Sequence, residues 1–247
     1  RISYFEYIFL YISIGFINRF AFLSLMKAVF LQTRYTGKVN LDKIELGKLP
    51  KKLGLVTTTQ FLGKIEEVKS YLENNGKEIF IDEGNQRNQG QLLGCDVGAA
   101  TKIQDKIDAF LYIGSGEFHP LGVALNTKKE VFTFNPVSGI FSKLDEKEIE
   151  KYKRSKKANY VKFLHADNIG IMVTIKPGQY SYKQAKEIKE KLEKMGKKCF
   201  IFVFDVLDAN EMENFPFIDF WINTACPRIA DDRDKKNVVD MSELNFA

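Results

Sequence analysis

Continuous apolar runs punctuate the chain, and they recur. Leu53-Gly54-Leu55-Val56-Thr57-Thr58 is echoed by Ile169-Gly170-Ile171-Met172-Val173-Thr174. Each reads as a buried strand, because the apolar residues are contiguous rather than alternating. Downstream, Leu72-Glu73, Gly76-Lys77 and Phe80-Ile81 return as Leu192-Glu193, Gly196-Lys197 and Phe200-Ile201. A third echo pairs Ile107-Asp108-Ala109-Phe110-Leu111 with Ile218-Asp219-Phe220-Trp221-Ile222. The spacings differ only by loop-sized insertions, so the pattern predicts a duplicated strand, helix, strand unit.

Between the first two echoes the period lengthens to that of a helix. Ile65, Val68 and Leu72 form one apolar stripe, and Ala185, Ile188, Leu192 and Met195 another, each wide enough to cover a sheet. Ser181 followed by Gln184 has capping-box spacing, and Gly196 stands where a left-handed cap would end the second helix. Asp145 with Glu148 marks another helix start, and the lysine-rich run to Leu164 predicts a long surface helix leading into Ile169. The expected fold is therefore α/β, with repeated Rossmann-like domains whose parallel sheets are flanked by helices. The division is 1–26 an atypical apolar leader, 27–50 one strand (Val29-Phe30-Leu31) with a connector through Pro50, 51–136 a middle domain and 137–247 a C-terminal domain. Asn135-Pro136 marks the break.

Composition narrows this picture. Among 247 residues, 21 Phe and 10 Tyr supply bulky core material, which excludes a disordered chain. The formal charge of +5 comes from lysines spread along helical stretches such as Lys151 to Lys157, the distribution of a solvated face. No aromatic platform or zinc-finger spacing points to nucleic acid. The apolar opening is uncharged from Tyr7 to Asn18 before Arg19 interrupts it, short for a membrane span. The chain opens on Arg1, and Met26 begins a stretch of ordinary globular character. Met26 is the expected start, with the leader as translated upstream sequence or a remnant.

The cysteines Cys95, Cys199 and Cys226 lack the spacing of a secreted disulfide scaffold, which fits a reducing cytoplasm. Cys199 lies inside the apolar run Lys198-Cys199-Phe200-Ile201-Phe202 and reads as packing. The other two sit between elements. Cys95 is glycine-flanked in Gly90-Gln91-Leu92-Leu93-Gly94-Cys95-Asp96, where a thiol can face a cleft. Cys226, in Asn223-Thr224-Ala225-Cys226-Pro227-Arg228, follows the C-terminal end of a strand, the edge at which open α/β sheets bind ligands. Arg228 could answer an anionic group such as a carboxylate. Two thiols on separate repeats cannot make a local zinc knuckle, but they can converge on one metal, and incomplete thiolate ligation suits an iron–sulfur cluster. Gly114-Ser115-Gly116-Glu117-Phe118-His119-Pro120-Leu121-Gly122 also follows an apolar strand, with glycines that let backbone amides approach a ligand. Lys176-Pro177-Gly178-Gln179 turns at the corresponding end of the second unit.

Taken together, LGCD at 93–96, GSGEFHPLG at 114–122, Asn135-Pro136, TIKPGQ at 174–179 and NTACPRIADD at 223–232 make the chain resemble the archaeal radical diphthamide synthases over about residues 27–247. The resemblance implies a cytoplasmic enzyme that transfers the 3-amino-3-carboxypropyl group of S-adenosylmethionine, through an organic radical, to a histidine of translation elongation factor two. In that family three homologous α/β domains each give one cysteine to a [4Fe-4S] cluster. By resemblance Cys95 is the middle domain's ligand and Cys226 the last domain's. Gly114, Gly116, His119, Gln179, Arg228 and Asp232 are candidates for holding S-adenosylmethionine. No catalytic side chain is singled out.

The resemblance has a gap. The family's first domain, with its own cysteine, would precede residue 27, and nothing in residues 1–25 resembles it. Residues 27–50 are then the tail of that domain, and the chain resembles a truncated or split product. The expected partners are elongation factor two and either a second copy or a complementing N-terminal or paralogous subunit, with no nucleic acid and no membrane. The alternative is a catalytically silent family member acting as a partner or scaffold subunit. A nucleotide-binding Rossmann module is a third reading, but a complete GxGxxG with its downstream acid is absent.

Overall fold

The first repeat starts on β1 (Lys52–Thr57), whose Leu53, Leu55 and Val56 are fully buried. The chain returns through α1 (Ile65–Asn74) to β2 (Glu78–Phe80), then passes α2 (Gly98–Thr101), β3 (Ala109–Ile113), α3 (Phe118–Thr127), β4 (Glu130–Phe134) and β5 (Phe141–Lys143). The helix α4 (Glu146–His165) leads into the second repeat: β6 (Asn168–Thr174), α5 (Tyr182–Lys194), β7 (Lys198–Phe204), β8 (Phe220–Asn223), α6 (Arg228–Asp231) and β9 (Val238–Asp240). The structure, a computed structural model, describes residues 31, 33–207, 209–231 and 237–244. The leader 1–26, and Val29 and Phe30 of the strand expected beside Leu31, lie outside the described residues.

Strand order is β2-β1-β3-β4-β5 in the first sheet and β7-β6-β8-β9 in the second. Without β5 the two orders are the same, and the duplication reaches single atoms. The carboxylate of Asp108 accepts from the backbone N–H of Lys52 at 3.3 Å, and that of Asp219 accepts from the N–H of Asn168 at 2.8 Å. Each acid clamps the start of the central strand of its sheet. Both central helices end alike: Lys77 N–H donates to Leu72 O and Gly76 N–H to Glu73 O, while Lys197 N–H donates to Leu192 O and Gly196 N–H to Glu193 O. With Gly76 and Gly196 at φ 79° and 87°, these are paired Schellman caps that use glycine's tolerance of the left-handed region.

Gly54 and Gly170 complete the repeat. Each pairs in register with an aromatic residue of the neighbouring strand, Phe110 and Trp221. A Cβ on Gly170 would lie 2.5 and 2.6 Å from ring carbons of Trp221, which is only 6% exposed. Gly170→Ala is therefore expected to overpack this core and cost about 1–3 kcal/mol. Urea denaturation checks it, and an unchanged midpoint would mean that the indole moves aside freely.

Expectation and structure part at several places. The run past Asn135-Pro136 turns tightly, with Asn135 Oδ1 accepting from Val137 and Ser138 N–H. It returns as β5, antiparallel to β4, so the first sheet is not purely parallel and continues to Lys143. Ser181 is the N-cap of α5 but makes no side-chain cap bond; its φ −127° and ψ 40° depart from the extended geometry that a capping hydroxyl needs. Cover on both faces holds for β6 and fails at the edge strand β7, where Phe200 and Val203 are exposed. The Asp145 expectation is met: its side chain caps α4 by accepting from Lys147 N–H.

Candidate functional site

Cys95 occupies a tight turn. Leu93 and Asp96 exchange backbone hydrogen bonds at 2.9 and 3.1 Å, leaving Gly94 and Cys95 at the tip. Asp96 fastens the turn from behind, its carboxylate accepting from Gly98 N–H at 2.7 Å and from the Gln86 amide at 2.6 Å. On the other side Leu92 N–H donates to Thr57 O and Gly90 O accepts from Thr57 N–H, so the segment is stitched to the C-terminal end of β1. The Cys95 thiol pKa is raised, first by its partial burial and then by the neighbouring Cys226 thiol, Asp96 and Asp240.

Cys226 follows β8; Asn223 and Thr224 at the end of that strand, and Asp240 of the adjoining β9, are buried polar residues. Asn223 Nδ2 donates to Cys226 O at 2.9 Å and to Asp240 Oδ2 at 2.8 Å, while its Oδ1 accepts from Ala225 N–H at 3.1 Å. The Thr224 hydroxyl donates to Met172 O at 2.7 Å, tying the loop to β6. Asp240 Oδ1 accepts from the backbone N–H and the hydroxyl of Ser242.

The start of α3 joins these two loops. Phe118 fills the space beneath the Cys95 turn so closely that a Cβ on Gly94 would stand 2.6 Å from its ring. Any larger residue there must displace the ring. Over the same ring lies the Arg228 guanidinium, 5.3 Å from the centroid, in the range of a cation–π contact. Phe118 is thus the floor on which the Cys95 turn and the arginine two residues after Cys226 meet. His119 stands beside it, its ring 5.2 Å from that of Phe118 and stacked 6.2 Å from that of Tyr112. Burial, and secondarily the charge of Arg228, push His119 down to about 4; the imidazole is neutral at pH 7.

A cavity of about 450 Å³ opens here. Gly94, Phe118, His119, Pro227 and Asp240 line it, together with Tyr152, Lys153 and Lys156 of α4 and with Ser242 and Glu243. The Lys151 to Lys157 run therefore does more than face solvent: Lys156 forms a half-buried ion pair with Glu243 at 2.5 Å. Of the other candidates, Gly114 is buried at the end of β3 and Gly116 lies in the exposed turn after it. Gln179 is exposed on the turn after β6; of the described candidates only His119 itself lines the cavity, while Cys95, Cys226 and Arg228 adjoin it through their neighbours Gly94 and Pro227. Asp232 lies outside the described residues. Cys199 is buried in β7, and burial raises its thiol to about 11.

In the sequence Phe118 is one aromatic among many, and nothing there pairs Asn223 with Asp240. The signal for Asn223 was a lone amide closing the apolar run Phe220-Trp221-Ile222. Chemically, two thiols on adjoining loops, with the nearby acids Asp96 and Asp240 already engaged as acceptors, fit two positions of a thiolate-held iron cluster. Among the described residues no group of three His, Cys, Asp or Glu side chains is placed to hold an ion. No helix of the described residues is long and apolar enough to cross a membrane.

Comparison with known proteins bears on this geometry. The family profile of diphthamide synthesis proteins matches residues 29–247. The 2-(3-amino-3-carboxypropyl)histidine synthase of Pyrococcus horikoshii is 34% identical over 216 residues, 87% of this chain and 58% of that protein. The enzyme of the same name from Methanocaldococcus jannaschii is 29% identical over 67% of this chain and 50% of its own length. A crystal structure of Dph2 from Pyrococcus horikoshii with a 4Fe-4S cluster superposes with a TM-score of 0.71 at 35% identity, covering 81% of this chain and 57% of that one. The chain thus spans between half and three-fifths of the length of these relatives.

Proposed function

The chain belongs to the diphthamide synthesis family, and from that premise we propose that it takes part in transferring the 3-amino-3-carboxypropyl group of S-adenosylmethionine to a histidine of translation elongation factor two. One observation carries the reading: the loops of Cys95 and Cys226, far apart in the chain, meet at Phe118, whose ring lies under Gly94 and beneath the Arg228 guanidinium, and Gly94 and Pro227 of these loops line one cavity. Cys95 and Cys226 would hold a [4Fe-4S] cluster, whose chemistry when bound is to deliver one electron to the sulfonium.

The remaining work falls to side chains in place. Arg228, fixed over Phe118, carries a cation suited to a carboxylate. His119, neutral at pH 7, offers hydrogen bonding without repelling the sulfonium charge. The walls formed by α3 and α4 restrict the orientation of a bound molecule, so that one carbon–sulfur bond is presented for cleavage. Gly114, Gly116, Gln179 and Asp232 are proposed as further holders of S-adenosylmethionine on the family resemblance.

A second reading keeps the fold and drops autonomous activity. It is favoured by the ligand set, since the third cysteine of the chain, Cys199, is buried in β7. On this reading a second copy or a complementing subunit contributes a further thiolate. Anaerobic reconstitution with iron and sulfide, followed by assay with dithionite, carboxypropyl-labelled S-adenosylmethionine and elongation factor two, separates the two. We expect this chain alone to hold iron below four per chain and to transfer label only when complemented. A full, stable four-iron cluster by Mössbauer spectroscopy would remove the need for a complementing ligand. Label absent under every condition would defeat the transfer reading.

A further inference from the structure

We infer that Asn223, held by Asp240, is a positioning residue for the Cys226 thiol. The inference rests on Cys226 being an iron ligand for its purpose, but not for its test.

Every hydrogen-bonding atom of the fully buried Asn223 amide is spent on this loop. Oδ1 takes the Ala225 N–H, one Nδ2 proton goes to Cys226 O, and the other goes to Asp240 Oδ2. Asp240, 3% exposed, fixes which way the amide faces, because a carboxylate accepts only and so demands the NH₂ edge. Its other oxygen is held by Ser242. The ligand loop is thus tied to β9, an element distant in sequence, through one side chain that bonds to the backbone of the cysteine itself.

The first repeat carries the same device on a loop without a cysteine. Tyr112 pairs with the residue two past Gly54, as Asn223 pairs with the residue two past Gly170. Tyr112 Oη donates to Ser115 O at 3.4 Å, three residues on, as Asn223 does to Cys226 O. The fold therefore holds the carbonyl at this loop position in both repeats. In the second repeat alone, the held residue bears a thiol and the holder is anchored by a buried acid. A mere core asparagine would not need its orientation set by a carboxylate.

Exchanging the pair, N223D with D240N, tests this. The buried Asn–Asp bond, the acceptor for Ala225 N–H and the net charge are all retained, but residue 223 no longer has a proton for Cys226 O. Alkylation of the three cysteines in the metal-free full chain is followed by mass spectrometry, with buried Cys199 reporting global unfolding. In the exchanged variant Cys226 is expected to react about five- to tenfold faster, with Cys95 and Cys199 unchanged, and iron affinity after reconstitution to fall on the order of tenfold. Unchanged Cys226 reactivity overturns the inference. So does a rise shared equally with Cys199, which would make the pair purely structural; this comparison holds for Asn223→Ala as well, even in a weakened fold. If the unaltered chain takes up no iron, the proposed function fails, while the Cys226 rate still decides the role of Asn223.

Discussion

Replacing Cys95 or Cys226 with alanine is expected to lower iron affinity on the order of a hundredfold or more, beyond the 10–100-fold that outer partners of a metal ligand command, and to abolish label transfer in the complemented assay. Cys199→Ala is expected to change neither. The contrast follows from placement: Cys95 is at the tip of a two-residue turn and Cys226 on the loop after β8, whereas Cys199 is buried in β7 with its thiol raised to about 11. Iron needs open space beside the sulfur, and Cys199, packed inside a strand, has none, whereas Cys95 is exposed. Iron and sulfide counts on the three variants decide it. Equal iron in the native chain and in both loop variants would remove the cluster from these loops, while loss of iron in the Cys199 variant would relocate it.

The loops were legible for a simple reason. Glycine and proline around Cys95 and Cys226 interrupt apolar runs, and strand ends in parallel sheets are where such interruptions gather. The duplication was legible too, since Gly54 opposite Phe110 and Gly170 opposite Trp221 hold the same places within their apolar runs and make the same contact. What escaped notice depends on groups distant in sequence. Asp240 belongs to a three-residue strand, too short to register as a periodic run, and its bond to Asn223 exists only once β9 lies beside β8. Phe118 read as one more aromatic until the Cys95 turn was laid on it. The lysines of α4 looked uniformly solvated, because a helical stripe does not announce that Lys156 pairs with Glu243 in the wall of a cavity. β5 hid behind Asn135-Pro136, where a break and a hairpin turn share the same residues.

Acidification should weaken this fold through His119. An unfolded chain takes up a proton at residue 119 near pH 6.5, but the folded chain refuses it until about 4. Between those values unfolding binds a proton, so stability falls as the pH drops; it is fully present above 6.5 and the loss is complete below about 4. At roughly 1.4 kcal/mol per pH unit the whole window is worth about 3 kcal/mol, and the stretch down to pH 5, before most carboxylates titrate, about 2 kcal/mol. Two causes oppose a charge on the imidazole, its burial among side chains that include Tyr112 and Phe118 and the cation of Arg228. His119→Gln keeps a neutral polar side chain with nothing to titrate. Its unfolding midpoint should fall less between pH 7 and pH 5 than that of the native chain, by about 4–8 °C. The other histidine, His165, is exposed at the end of α4 and is unaltered in both proteins, so it cancels in the comparison. Parallel curves would place the imidazole in water and take from the cavity the uncharged wall that a sulfonium needs.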